Sequence, residues 1–276
     1  MIELLTDALI DTIKLTPYLF VTFLILELVE HKLSKKNEKI LSKNRKYGPI
    51  IGGILGAFPQ CGFSTMASNL FSSGIITTGT LIAVFLSTSD EMLPILLSEK
   101  VNPVTIIKIV CFKVIIGIIM GLIVDLFYKR KKYQHVNDIC EKEHCHCDHD
   151  GLLLSSIKHT LKIIIFILIA NITINLIIYF IGEDALKKLL LNKNIFTYFI
   201  ASLFGLIPNC ASSIIITELY ISNLITKGIM LSGLLTGSGL GILVLFKEND
   251  NNKENILILI IIFVIGVVTG IIVDLI

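Results

Sequence analysis

Three groups of side chains in this 276-residue chain have the types and spacing to do chemistry. The densest is a polar run, Cys140-Glu141-Lys142-Glu143-His144-Cys145-His146-Cys147-Asp148-His149-Asp150. With His135 it gathers four of the six histidines and three of the six cysteines. His135, Cys140, His144, Cys145, His146, Cys147, Asp148 and His149 make a tract of imidazole, thiolate and carboxylate donors that suits zinc, nickel, copper or cobalt. The spacing matches no defined finger, so a chelating tract is expected rather than a folded metal domain; a neutral linker is the plainer alternative.

The second group is Pro59-Gln60-Cys61-Gly62-Phe63-Ser64 and its echo Pro208-Asn209-Cys210-Ala211-Ser212-Ser213. Each lies inside a long apolar run, three residues after a glycine, Gly56 or Gly205. The offset is constant, 210 − 61 = 149 and 208 − 59 = 149. A proline, a small polar side chain and a thiol in such a run break a helix where something polar can bind. Cys61 and Cys210 would serve as soft ligands for thiophilic metals or metalloids; the alternative is that they are small buried residues after a break. Pro59, Gly62, Gln60, Ser64, Asn209, Ser212 and Ser213 would complete the site, or satisfy the backbone groups the prolines free.

The third group is charge at membrane depth. Asp90 and Glu91 sit about two thirds along an apolar segment, four residues before Pro94 for the first of them. Ionisable groups there are costly and point to function; the alternative is that Pro94 ends the segment and both acids are interfacial. Lys113 lies deep in the next segment and would pair with Asp90 or Glu91. Glu218 follows Cys210 and aligns with Asn69. For Lys113 and Glu218 a structural ion pair and a coupling role stand equally. Asp125 and Asp274 are read as caps near segment ends.

The elements that must position these groups are membrane helices. The chain is 54% hydrophobic and 17% charged, with a mean hydropathy of +0.82, against about 25% charged residues in soluble domains. Its apolar runs reach the roughly 20 residues a bilayer requires. The acidic start lacks the positive region of a secretory signal, and no removable targeting segment is expected. The cysteine distribution is not a disulfide framework. No phosphate loop, dinucleotide motif or serine-nucleophile motif appears, so nothing points to ATP hydrolysis.

In order, the apolar segments are residues 16–29, 48–72 with its break, 75–97 and 103–127, then 152–181, 195–221 with the second break, 224–246 and 256–276. Basic blocks at 31–47 and 129–132 mark cytoplasmic loops. An even number of crossings must separate them, which holds if each broken stretch is two short arms, as a re-entrant hairpin or two short spans. Each half then crosses an odd number of times and the halves are inverted. Gly79, Gly117, Gly121 and Asp125 recur as Gly228, Gly266, Gly270 and Asp274, again 149 apart, which argues for an internal duplication. The domains expected are a first membrane repeat over 1–127, a cytoplasmic His/Cys-rich linker over 128–151 and a second membrane repeat over 152–276. In secondary transporters built this way, the site forms at the midplane where discontinuous helices meet.

Two stretches carry a resemblance: Gly56-Ala57-Phe58-Pro59-Gln60-Cys61-Gly62-Phe63-Ser64, and Gly79-Thr80-Leu81-Ile82-Ala83-Val84-Phe85-Leu86-Ser87-Thr88-Ser89-Asp90-Glu91-Met92-Leu93-Pro94. With the His-rich middle loop they resemble the ten-transmembrane heavy-metal exporters, also described as arsenic efflux permease-like. The resemblance implies an all-α integral membrane protein of about ten transmembrane segments, five per half, with broken helices at Pro59-Cys61 and Pro208-Cys210. It implies export of a metal or metalloid, manganese included, and places Cys61 and Cys210 after the helix break. Ala211 replaces the glycine of the first copy.

The expectation is therefore a multi-pass cell-membrane permease, a secondary transporter exporting an arsenic-type species or a divalent cation such as manganese. No cofactor is required; the metal is substrate or regulator. The partners expected are membrane lipid and the metal or metalloid, with a second copy of the chain as a candidate and no nucleic acid. One alternative is a permease for a small organic or inorganic anion with a regulatory metal-sensing loop. Another is an intramembrane redox or hydrolytic enzyme on Cys61 and Cys210, for which no base or oxyanion arrangement is evident.

Overall fold

The computed structural model describes residues 47–58, 61–89, 92–128 and 194–276, with isolated helical positions between 16 and 24, between 157 and 173, and at 190. Cys61 and Cys210 are described in backbone only. All regular structure among the described residues is helical. In chain order the helices are α1 (Gly48–Gly56), α2 (Cys61–Ser72), α3 (Thr78–Ser87), α4 (Met92–Ser98), α5 (Pro103–Phe127), α6 (Ile195–Gly205), α7 (Cys210–Ile221), α8 (Lys227–Thr236), α9 (Gly241–Glu248) and α10 (Asn252–Leu275). Their starts keep the sequence offset: 210 − 61, 227 − 78, 241 − 92 and 252 − 103 are each 149.

The apolar runs over 75–97 and 224–246, read from sequence as single segments, are each interrupted. In the first, Thr88 turns extended (ψ 130) after α3, and its hydroxyl donates back to the Val84 carbonyl at 2.7 Å. In the second, Gly237 leaves the helix (ψ 84), and Gly239 takes φ 55, a left-handed conformation that glycine adopts without cost. Hydropathy averages over such breaks. Among the described residues, four stretches are long and apolar enough to cross a membrane: Thr78–Ser98, Pro103–Phe127, Lys227–Glu248 and Asn252–Leu275.

The interrupted pairs are central. Within the most apolar part of each stretch, 75% of residues are buried in Thr78–Ser98 and 78% in Lys227–Glu248, against 28% in α5 and 39% in α10. α5 and α10 therefore each present a broad apolar face outward, including Ile107, Ile115, Ile119 and Ile123 on α5, as lipid contact requires. The inward stripe of α5 is Ile106, Ile109, Lys113, Gly117, Gly121 and Val124, at helical spacings of three and four.

Two glycine contacts bind each half together. A Cβ on Gly79 would land on the Gly121 carbonyl oxygen, and one on Gly228 would land on that of Gly270. α3 and α5, like α8 and α10, thus meet backbone to backbone, the small-residue packing that membrane helices use in place of a hydrophobic drive. A polar clamp lies beside each contact. Asp125 Oδ1 accepts from Gly79 N at 2.8 Å and Asp125 Oδ2 accepts from the Thr77 hydroxyl at 2.6 Å, while Thr77 itself caps α3 through Thr80 N. Asp274 repeats the arrangement on Gly228 N (2.8 Å) and on the hydroxyl of Thr226, the N-cap of α8. Each carboxylate faces the positive end of a helix. Both aspartates are caps, and what they cap is the neighbouring interrupted helix.

Asp125 is half-buried and Asp274 exposed. Asp125→Ala is therefore expected to cost about 1–3 kcal/mol, the range for leaving buried donors unsatisfied, and Asp274→Ala less. Thermal unfolding of the purified protein in detergent checks the order; a smaller loss for Asp125→Ala than for Asp274→Ala would refute it.

Candidate functional site

The second helix break builds one wall of a site. α6 ends at Gly205, and Pro208 cannot continue it, having no backbone donor. Asn209 is extended (φ −146, ψ 145), and its side-chain oxygen accepts from Ala211 N at 3.1 Å, capping α7. The Ser212 hydroxyl donates to the Asn209 carbonyl at 2.8 Å. The Asn-Cys-Ala-Ser-Ser sequence thus turns the chain and starts a new helix whose first residues lie inside the protein.

This wall meets the breaks in the two central helix pairs. A cavity of about 20 Å³ is lined by Asn209, Ser212 and Ser213 from the α6–α7 break, by Thr88, Ser89 and Met92 from the α3–α4 break, by Gly237 and Gly239 from the α8–α9 break, and by Gly205, Leu234 and Lys113. That is room for about one water. Its donors are hydroxyls, an amide, a thioether and an ammonium. Among the described lining residues, Lys113 carries the one formal charge.

Lys113 is 1% exposed. Its Nζ donates to the Thr88 carbonyl at the end of α3 and to the Leu234 carbonyl in the last turn of α8, the latter at 2.8 Å. A buried ammonium is stable only when paired or hydrogen-bonded, and these carbonyls belong to helix ends, where backbone acceptors lack helical partners. The residue at the same register of α10 is Ile262, fully buried in an apolar cluster.

The sequence-predicted residues separate. Asn209, Ser212, Ser213 and Lys113 come together on the cavity. Gly62 and Ser64 are buried on α2 but are not among its described lining. Their helix packs on the start of α9 instead, with the Ser68 hydroxyl 2.7 Å from the Gly241 carbonyl and 3.0 Å from that of Ser64. Glu218, expected as a deep acid on the arm after Cys210, is on the exposed side of α7, away from the cavity; successive helical positions cannot all face inward, and its neighbour Thr217 is buried. Pro59, Gln60, Asp90, Glu91 and the tract from His135 to His149 (His135, Cys140, His144, Cys145, His146, Cys147, Asp148, His149) lie outside the described residues, as do the Cys61 and Cys210 side chains. No cluster of three His, Cys, Asp or Glu side chains occurs among the described residues.

Four lining groups were not singled out from sequence: Thr88, Ser89, Met92 and the Gly237–Gly239 turn. The available signal was Gly237-Ser238-Gly239 inside an apolar run, in register with Thr88-Ser89-Asp90 at the same offset of 149. Ser238, counterpart of Ser89, is fully buried, and its hydroxyl has no hydrogen-bond partner among the described residues. A larger cavity of about 400 Å³ between α1, α2 and α3 is walled mainly by Ile51, Leu55, Phe63, Met66, Leu70 and Val84. That lining offers little to a polar or charged guest, and the small polar cavity is the better site.

Asn209→Ala is expected to lower stability by about 1 kcal/mol through loss of the cap, whereas Asn209→Asp, which keeps the acceptor, should not. Melting temperatures of the two variants in detergent decide this; equal losses would show that the side chain does not act as a cap.

Comparison with known proteins agrees with this architecture. The chain matches the family described as "Putative, 10TM heavy-metal exporter" over residues 1–183 and again over 171–276. No curated protein and no solved structure matches it. Since the two matched regions together span the whole sequence, the chain belongs to the ten-transmembrane heavy-metal exporter family.

Proposed function

We propose that this chain is a secondary permease that exports a heavy-metal or metalloid species from the cytoplasm, and that the cavity at the three helix breaks is its binding site. The observation that carries the reading is the convergence of the breaks after Gly205, Ser87 and Thr236 on one polar cavity inside an apolar protein. Irregular backbone at membrane depth is tolerated where it is buried or lines a cavity, and transporters place substrate at such breaks. A cavity with room for one water is a closed one, so a larger guest enters only when the walls part.

Inverted repeats are the arrangement that alternating access uses, and two contacts support them. The Tyr128 hydroxyl, at the end of α5, lies 3.4 Å from Glu254 Oε1, at the start of α10. Counterpart helices therefore meet end to start. α2 packs on α9 and α7 on α4, the same pairing read from either half. The basic blocks flanking the first half favour a cytoplasmic middle loop, where the His135–His149 donors would gather metal.

The described lining favours a neutral or anionic species over a bare divalent cation. Lys113 and the first turn of α7 both contribute positive charge, while the Met92 thioether suits a thiophilic guest. This points toward an arsenic-type species. It also supports the second reading, a small-anion permease whose metal tract is regulatory. Asp90 and Glu91 follow Thr88 and Ser89 in sequence and lie outside the described residues; carboxylate ligands at the site would turn the balance toward manganese.

The test is metal content and resistance in matched cells with and without the protein, challenged in turn with arsenite, manganese, zinc, nickel and cobalt. Lower intracellular content of one species is expected and would name the substrate; no change for any would overturn export of these species. Cys61→Ser and Cys210→Ser should reduce resistance to a thiophilic substrate about tenfold or more, as loss of a ligand worth about 1.4 kcal/mol implies. Asp90→Asn and Glu91→Gln should do so for a hard cation. Equal tolerance of all four changes would remove these residues from the site.

A further inference from the structure

α3 and α8 end against the same buried ammonium. Each helix carries the equivalent of roughly −0.5 charge at its C-terminus. Two such ends meeting inside a membrane protein repel, and their terminal carbonyls want a cation. In transporters with discontinuous helices, sodium or a proton commonly takes that position between unwound carbonyls and half-helix C-termini. Here a side chain takes it. Lys113 extends from α5, is 1% exposed, and donates to the Thr88 carbonyl of the first half and the Leu234 carbonyl of the second. At the same register of α10 stands Ile262, in an apolar cluster, so among the described residues α10 does not repeat the device, which lies at the junction between the halves.

We propose that the Lys113 ammonium is a tethered substitute for a bound monovalent cation, so that the carbonyl site between α3 and α8 is permanently filled and the protein needs no sodium or potassium there. This goes beyond the export reading and does not rest on it, because the two carbonyls belong to helix ends whatever the chain carries. It makes two consequences specific to this chain. The native protein should be indifferent to the alkali cation present. Removing the side chain while leaving its space should create a site for a small cation.

The experiment measures melting temperature of purified full-length protein in detergent, in sodium, potassium or methylammonium chloride, each against N-methyl-D-glucamine chloride at equal ionic strength. The native protein should melt at the same temperature in all four. Lys113→Ala should melt lower in N-methyl-D-glucamine and regain a few degrees in at least one small cation, by ordinary binding linkage. Lys113→Met, which fills the space without charge, should be destabilised and should gain nothing from any cation. The proposal is overturned if the native protein is stabilised by sodium or potassium over N-methyl-D-glucamine. It is equally overturned if Lys113→Ala is not rescued by any small cation, including by failing to fold in all of them, or if Lys113→Met is as stable as the native protein.

Discussion

The contact on which the rest of the structure depends is an ammonium held between the ends of two helices. Each half of the protein contributes a helix that stops inside the membrane, α3 and α8, and each stop leaves carbonyls with no helical donor. Lipid and apolar side chains cannot satisfy them. Lys113 supplies the donor and the charge at once. With that contact in place the chain can turn at Thr88 and at Gly237 without exposing bare acceptors, and the space beyond the turns becomes a polar cavity rather than a defect.

The two halves share what holds them and differ in what lines the site. The glycine crossings, the Thr77 and Thr226 caps and the Asp125 and Asp274 clamps recur at one offset with nearly the same hydrogen bonds. These positions answer to backbone geometry, which is common to both halves. In the stretches that bear the breaks the correspondence lapses. In sequence register Lys113 corresponds to Ile262, and the acids at 90 and 91 to Gly239 and Leu240. A pseudo-symmetric scaffold imposes no requirement on those positions, so they are free to carry an asymmetric task. Ala67 against Ile216 is a further case: Ile216 is fully buried against Gly233, whereas the space beside Ala67 is part of the larger apolar cavity.

Much of the scaffold was legible from sequence because its signals are steric and additive. Long apolar runs, prolines inside them and glycines at a fixed offset state the helices, two of the breaks and the duplication. The breaks at Thr88 and Gly237 were not legible in that way. No proline marks either one, and hydropathy hardly falls across a Gly-Ser-Gly turn or across a Ser-Thr-Ser turn whose hydroxyls bond back to their own helix. Part of the setting of Lys113 was also hidden. Sequence offers Asp90 or Glu91, which lie outside the described residues, as partners of a buried lysine, and does not show that two helices end within its reach and offer carbonyls. Glu218 failed for the converse reason: an acid in an apolar run can be read as deep, yet helical phase turns it outward.

The distribution of tight and loose contacts also decides where the molecule can yield. Inside each half, α3 against α5 and α8 against α10 meet backbone to backbone, and sliding them would drive peptide groups into one another. Between the halves there is a close approach too, Gly241 on Ser64, but beside it stand side-chain contacts: a serine hydroxyl on the Gly241 carbonyl and the Lys113 side chain with its flexible stem. The side-chain bonds at the breaks are the contacts that can yield without driving peptide groups into one another. A lysine suits that junction better than an arginine would, because its compact ammonium on a four-carbon stem can stand where a small cation would and reach both carbonyls.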